Sequence, residues 1–229
     1  MKKGLIYIFV LCVGVLMLVR SHLHVSLGDN IFSAAGISPW LGKNTRFHLP
    51  VILGFILLLI GMIGTVKIYK PRYPKILSRI IIACVAFMLI FPLASEKLMF
   101  VLKHNSNGTH SIDYLVENSE CHIKTSDNEA KAKCSFTFYN YGAENSITIQ
   151  PVFEDRYGDL NFEASTVSII PHSKVSLTAE FIAEGHEIDW SGSGYFKGVG
   201  IEVEMDGVKK RYNKFKYLTI KELPIWTTP

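Results

Sequence analysis

Hydrophobic positions along the chain follow two different rules, and the change falls near residue 103. Before it they come in unbroken runs, at about residues 4–20, 48–66 and 78–98. Basic residues bracket them: Lys2, Lys3 and Arg20 the first, Arg46 and Lys67 the second, Arg79 and Lys97 the third. A helix needs about 20 residues to cross a hydrocarbon core, so residues 1–103 are predicted to form three transmembrane helices. The first run has the charged start and apolar centre of a signal peptide. The stretch after it, Val19-Arg20-Ser21-His22, lacks a small-x-small cleavage site and is read as the end of an uncleaved anchor.

After residue 103 the period becomes two. Phe136 and Phe138 alternate with Ser135, Thr137 and Tyr139, and Ile147 and Ile149 with Thr148 and Gln150. Val175, Leu177 and Ala179 form a third series, and Val199, Ile201, Val203 and Met205 a fourth. Such alternation marks half-buried strands. Turn signals separate them, at Asn140-Tyr141-Gly142, Tyr157-Gly158-Asp159, Pro171-His172-Ser173 and Asp206-Gly207. Short strands at this spacing predict an all-β sandwich over residues 104–229.

Two hairpins can be placed in register. A two-residue loop at Asp206-Gly207 pairs Met205 with Val208, Glu204 with Lys209 and Glu202 with Arg211, so both charged pairs are opposite in sign. A loop at Asp127-Asn128 sets Cys121 opposite Cys134, on the face that carries Ile123, Ala132 and Phe136. Directly opposed cysteines meet the distance a disulfide needs, so a Cys121–Cys134 bond is predicted.

Charge gives the direction. Asp29 and Glu96 are the two acidic residues before residue 104, so the formal net charge of +4 hides a basic, oily first part and an acidic second part. The basic charge sits beside apolar runs, which points to lipid and not to nucleic acid. Lys67, Lys70, Arg72, Lys75 and Arg79 crowd the short 67–79 loop, while the longer 21–47 loop holds Lys43 and Arg46. The positive-inside rule then places the N-terminus and the 67–79 loop in the cytoplasm. The C-terminal domain is expected to lie outside a cell membrane, where an oxidising compartment preserves disulfides.

Candidate interaction positions follow. Gly54, Gly61 and Gly64 lie at helical spacing in the second span and form a helix-packing face. In the outer loop, Asp29 or Asn30 is expected to cap a short interfacial helix ended by Gly36 and Pro39. Trp40, Trp190, Tyr195 and Trp226 are candidate contact aromatics. His22, His24, His48, His104 and His110 flank the spans on the outer side, but from separate stretches without metal-ligand spacing, so no metal site is assigned. No catalytic residues and no cofactor are assigned either, because no group of residues meets the first steps of site recognition.

One resemblance emerges. Cys134-Ser-Phe-Thr-Phe-Tyr-Asn140-Tyr-Gly142, then Val152-Phe153-Glu-Asp155 with Gly158, then Ile170-Pro171 and Val175-Ser-Leu-Thr, is similar to the bacterial immunoglobulin-like domains of the FxLYD type. The likeness covers about the middle half of the outer domain and carries no counterpart in the membrane part. It implies a non-catalytic module of the cell envelope. The expectation is a multi-pass membrane protein whose outer sandwich binds another membrane or envelope protein. The alternative is an accessory subunit of a transport or export complex, with the Gly54/Gly61/Gly64 face as its helix contact.

Overall fold

The structure is a computed structural model of the 229-residue chain. It describes residues 2–41, 47–126, 129–153, 161–184 and 192–212. Helix α1 runs from Lys2 to Leu18 and α2 from Leu27 to Ala34. The short strands β1 (Trp40–Leu41) and β2 (Phe47–His48) pair as an antiparallel ribbon, followed by α3 (Leu49–Tyr69) and α4 (Ile76–Leu102). Two of these helices, α3 and α4, are long and apolar enough to cross a membrane, with mean hydropathies of 2.6 and 2.5 over their best windows. Helix α1 is apolar but shorter, with Gly4–Leu18 as its apolar part.

The glycines of α3 are filled from within the chain. Tyr7, Leu11, Gly14 and Leu18 recur at i, i+4, i+7 and i+11 along one face of α1. A Cβ built on Gly64 would strike the Tyr7 ring, one on Gly61 the Leu11 backbone, and one on Gly54 Met17 and Leu18 at 3.0–3.1 Å. Gly14 returns the contact, lying against the Leu58 nitrogen and the Gly54 carbonyl. Partner numbers fall on α3 as they rise on α1, so the two helices run antiparallel. The face that the sequence offers to a neighbouring helix is therefore covered by α1. Helix α4 is the opposite case: only 6% of its apolar window is buried, and Ile82, Val85, Leu89, Ile90, Leu93 and Leu98 stand exposed around it.

Helix α2 begins earlier than the sequence suggests. Ser26 is its N-cap: its hydroxyl accepts from the Asp29 backbone N–H, while the Asp29 carboxylate accepts from the Ser26 N–H. Asp29 is thus the third residue of a capping box and not the cap itself. At the other end Gly36, with φ +71°, closes a Schellman turn in which Ile37 N–H donates to the Phe32 carbonyl and Gly36 N–H to Ser33.

The second half is β-rich. Its strands are β3 (Ile112–Tyr114), β4 (Glu120–Ser126), β5 (Glu129–Asn140), β6 (Ser146–Val152), β7 (Ser165–Ser168), β8 (Ser173–Glu184), β9 (Gly192–Lys197), β10 (Gly200–Met205) and β11 (Val208–Tyr212). Strand β5 is the spine of a five-stranded sheet. It pairs with β8 along its whole length, and on its other edge with β4 and then β3, while β9 adds to β4. A four-stranded sheet has the order β11-β10-β6-β7. Every pairing is antiparallel. Phe136, Phe138, Ile123 and Phe181 of the first sheet pack with Ile147, Ile149, Ile201 and Val203 of the second in one core, a sandwich-like arrangement.

Both predicted registers appear. Met205 faces Val208, Glu204 faces Lys209 and Glu202 faces Arg211. Asp206 and Gly207 take φ of +50° and +75°, the left-handed pair that a two-residue hairpin turn of this kind demands. In the other hairpin Ser126 faces Glu129 and Cys121 faces Cys134, joined by a disulfide with Cα atoms 4.0 Å apart. The Asp127-Asn128 tip lies outside the described residues.

Candidate functional site at the helix–sheet junction

Strand β5 departs from strict alternation at its end. Phe136 and Phe138 point into the sandwich, yet Tyr139 and Tyr141 are fully buried as well. They are two residues apart and therefore share a face, the one turned away from the sandwich core. Their rings stack at 6.0 Å. What covers them is the helical half of the molecule: Leu23, Met99 and Phe100 pack against them together with Leu115. Burying an aromatic side chain contributes roughly 1.5–3 kcal/mol, so the two tyrosines make this a firm attachment of sheet to helix.

His22 sits at its centre. The segment between α1 and α2 doubles back through a bridge between Arg20 and Ser26, with His24 in the left-handed region at φ 61°, and this turn presents His22 inward. The imidazole stands edge-on to the Tyr139 ring at 4.9 Å. Its Nε2 lies 2.6 Å from the Tyr141 hydroxyl and its Nδ1 3.3 Å from Ser95 Oγ on α4. The Ser95 hydroxyl donates to the Pro92 carbonyl at 2.8 Å and accepts from the His22 backbone N–H. The serine proton is thus committed to Pro92, and the Tyr141 hydroxyl is shared between His22 Nε2 and the Asp113 carboxylate, so the tautomer of the imidazole sets the direction of both ring contacts.

Charges surround this apolar box. The Lys103 ammonium lies 4.9 Å over the Tyr141 ring and that of Lys174 5.0 Å over Tyr139. Lys103 also bonds the Asp113 carboxylate at 2.8 Å, and Lys210 approaches the same carboxylate at 3.6 Å. Burial pushes the pKa of the Tyr141 hydroxyl well above its ordinary value, with Asp113 adding to the effect. Burial likewise holds His22 below its ordinary 6.5; Asp113 and Glu96 oppose that shift, and Lys103 and Lys174 reinforce it.

A depressed histidine pKa means that the folded junction takes up its proton later than the unfolded chain. Stability then falls as pH drops from about 6.5 toward the lower folded value, because the unfolded state binds more protons in that window. Amide hydrogen exchange in segments 20–26 and 139–141, corrected for intrinsic rates, is expected to accelerate between pH 7 and pH 5 in the intact protein. His22→Gln should flatten that dependence. Equal pH slopes in the two proteins would remove His22 from the account.

Three of the other span-flanking histidines have separate partners. His24 Nδ1 meets Glu117 at 2.8 Å. His48 Nε2 lies 2.8 Å from Asp29 Oδ1, close enough for attraction though not aligned as a hydrogen bond. His104 stacks on His172 at 4.2 Å, and His110 closes a 3-10 turn. Among the described residues no three His, Cys, Asp or Glu side chains gather as a metal-binding group. No protein-family model, curated protein or solved structure matches the chain.

Of the four aromatics named from sequence, Trp190 and Trp226 lie outside the described residues. Trp40 on β1 is 46% exposed, with its ring edge-on to His48 at 4.5 Å. Tyr195 on β9 is 48% exposed and lies 4.7 Å from the His122 ring, with Lys197 beside it. The two belong to different parts of the molecule, one on the ribbon before α3 and the other on an edge strand of the five-stranded sheet. Of the junction, the sequence singles out His22 among the histidines that flank the spans and Tyr141 within a turn signal, but it does not bring the two together. The junction's one local signal is the run Phe136-Thr-Phe-Tyr-Asn-Tyr141, which puts aromatic rings on both faces of a strand that period two would bury on one.

Proposed function

We propose that the chain is a multi-pass membrane protein whose helices carry a non-catalytic, immunoglobulin-like sandwich on the extracytoplasmic side, where the sandwich acts as an interaction module at the cell envelope. The observation that carries this reading is the junction. An apolar helix with almost no burial in its own chain, α4, is locked at its far end to a β-rich domain through Ser95, His22, Tyr139 and Tyr141. Such a joint fixes the orientation of the sandwich relative to the span, as a module that presents a surface to a neighbour requires. The Cys121–Cys134 disulfide supports an oxidising compartment. The basic 67–79 loop supports the cytoplasmic side for the turn between α3 and α4. The presented surface on this reading is the outer face of the five-stranded sheet, where His122, Tyr195 and Ile182 are accessible between charged side chains.

The alternative, an accessory subunit of a transport or export complex, no longer has the glycine face to offer, since α1 fills it. It would rest on the apolar surface of α4.

A photo-crosslinking residue at Tyr195, in intact cells, is expected to give one discrete protein adduct, and one at Thr166 on the opposite sheet none. A membrane-impermeant maleimide should label a cysteine placed at Thr166 but not one at Tyr73 in the basic loop, on a background lacking Cys12 and Cys84. Adducts equal at both positions would overturn the interaction face, and the reverse labelling pattern would overturn the orientation.

A further inference from the structure

Where α4 meets the start of β8, the surface opens into a groove of about 590 Å³. One wall is the last turns of α4, with Glu96, Lys97, Phe100 and Val101, and His104 in the turn that follows; the other is His172, Ser173 and Lys174. Among the described residues neither Lys97 nor Lys174 has an ion-pair partner, although Glu96 lines the same groove, whereas Lys103, Lys197 and Lys209 are all paired. The groove therefore presents one carboxylate and two ammonium groups that no carboxylate neutralises by contact.

Its floor is built and held. His172 takes a left-handed backbone conformation at φ 50°. Its ring Nδ1 donates to the Tyr141 carbonyl at 2.7 Å, and its backbone N–H donates to that of Gly142. The ring then stacks on His104 at 4.2 Å and 24°. A non-glycine residue in this backbone region is uncommon and is maintained only where its surroundings over-determine it. Here two hydrogen bonds and the stacked ring do so.

The groove continues into an apolar track. Ile90, Leu93, Lys97 and Val101 follow one another along α4 at helical spacings of three or four. Ile90, Leu93 and Val101 are all exposed. One stripe of α4 thus passes from bare hydrocarbon, through Lys97, into the groove. This division, an apolar track leading to a cationic pocket, matches an anionic amphiphile and no simple ion. Lysines at the end of a span also reach naturally toward headgroups.

We propose that this groove binds an anionic phospholipid, with its phosphate between Lys97 and Lys174 and an acyl chain along the Ile90–Leu93 stripe. The proposal rests on α4 lying in the membrane, and the test separates the two. The full-length protein is reconstituted into phosphatidylcholine vesicles with and without phosphatidylglycerol, and its flotation with vesicles of either composition is scored first. Failure to float overturns the membrane reading, and the lipid site falls with it. Lipid retention is then read by native mass spectrometry from a mixed micelle. Phosphatidylglycerol is expected to be retained in preference to phosphatidylcholine, and Lys97→Gln/Lys174→Gln to weaken that retention by about tenfold or more, from the loss of two lysine contacts with anionic lipid. The double variant should still float and keep its disulfide. Equal retention of the two lipids, or a double variant indistinguishable from wild type, overturns the site. Binding of glycerol phosphate as tight as that of the lipid would assign it to a soluble phosphate ester instead.

Discussion

Gly61→Leu is expected to detach α1 from α3 and to produce one of the two largest losses of stability in the chain. A Cβ at residue 61 already overlaps the Leu11 backbone. Backbone cannot swing aside as a side chain can, so even alanine forces the helices apart. Inserting atoms into a packed interior costs about 1–3 kcal/mol where side chains can yield, and a leucine against main chain should reach or pass the top of that range. The effect should spread, because Tyr7 against Gly64 and Gly14 against Leu58 and Gly54 belong to the same antiparallel contact. The measurement is the midpoint of thermal unfolding in mild detergent, beside Ile63→Leu, whose side chain is exposed on α3. Gly61→Leu should melt well below wild type with its Cys121–Cys134 bond intact, and Ile63→Leu close to it. Equal midpoints for the two variants would mean that α1 does not hold this place.

This result would also bear on function. Were the glycine face free, the same substitution would read as loss of a partner. With α1 upon it, the substitution tests the integrity of the anchor, and a search for a helix partner belongs on α4.

What the sequence reveals divides by the range of the interactions. Hairpin register is set by a turn and by the alternation on either side of it, both within about 20 residues. The Cys121–Cys134 and Glu204–Lys209 pairs are therefore legible in the sequence alone. The junction depends on His22 meeting Tyr141, 119 residues away, and Ser95, 73 residues away. Nothing local in Arg20-Ser-His-Leu-His24 announces that contact. The α2 boundary shows a subtler failure. Asp29 is a true polar signal of a helix start, but it stands three residues inside the cap, because a carboxylate at the third helical residue completes a capping box. Helical spacing finds the glycine face but cannot say which helix fills it. That takes the pattern of Tyr7, Leu11, Gly14 and Leu18 on α1, which in an all-apolar run does not stand out from its surroundings.

Removing the disulfide should match or exceed the helix variant in effect. Cys121 and Cys134 are both fully buried in the core, between Ile123, Ala132 and Phe136. The bond closes a loop of 13 residues' separation, for which lost chain entropy in the unfolded state corresponds to about 3 kcal/mol. Cys121→Ala/Cys134→Ala is therefore expected to lower the urea midpoint of the sandwich by several kcal/mol's worth of stability, with the vacated sulfur volume adding to the loss. Serine at both positions should be worse than alanine, since it buries two hydroxyls where only apolar neighbours wait. That order, wild type above alanine above serine, separates a bond that stabilises a core from one that merely decorates a surface; serine equal to or better than alanine would contradict the burial. The same burial governs chemical access. Reduction alone should leave the two thiols shielded, with modification following only when the β4–β5 hairpin opens, so their labelling rate under reducing conditions reports the opening of the sandwich core.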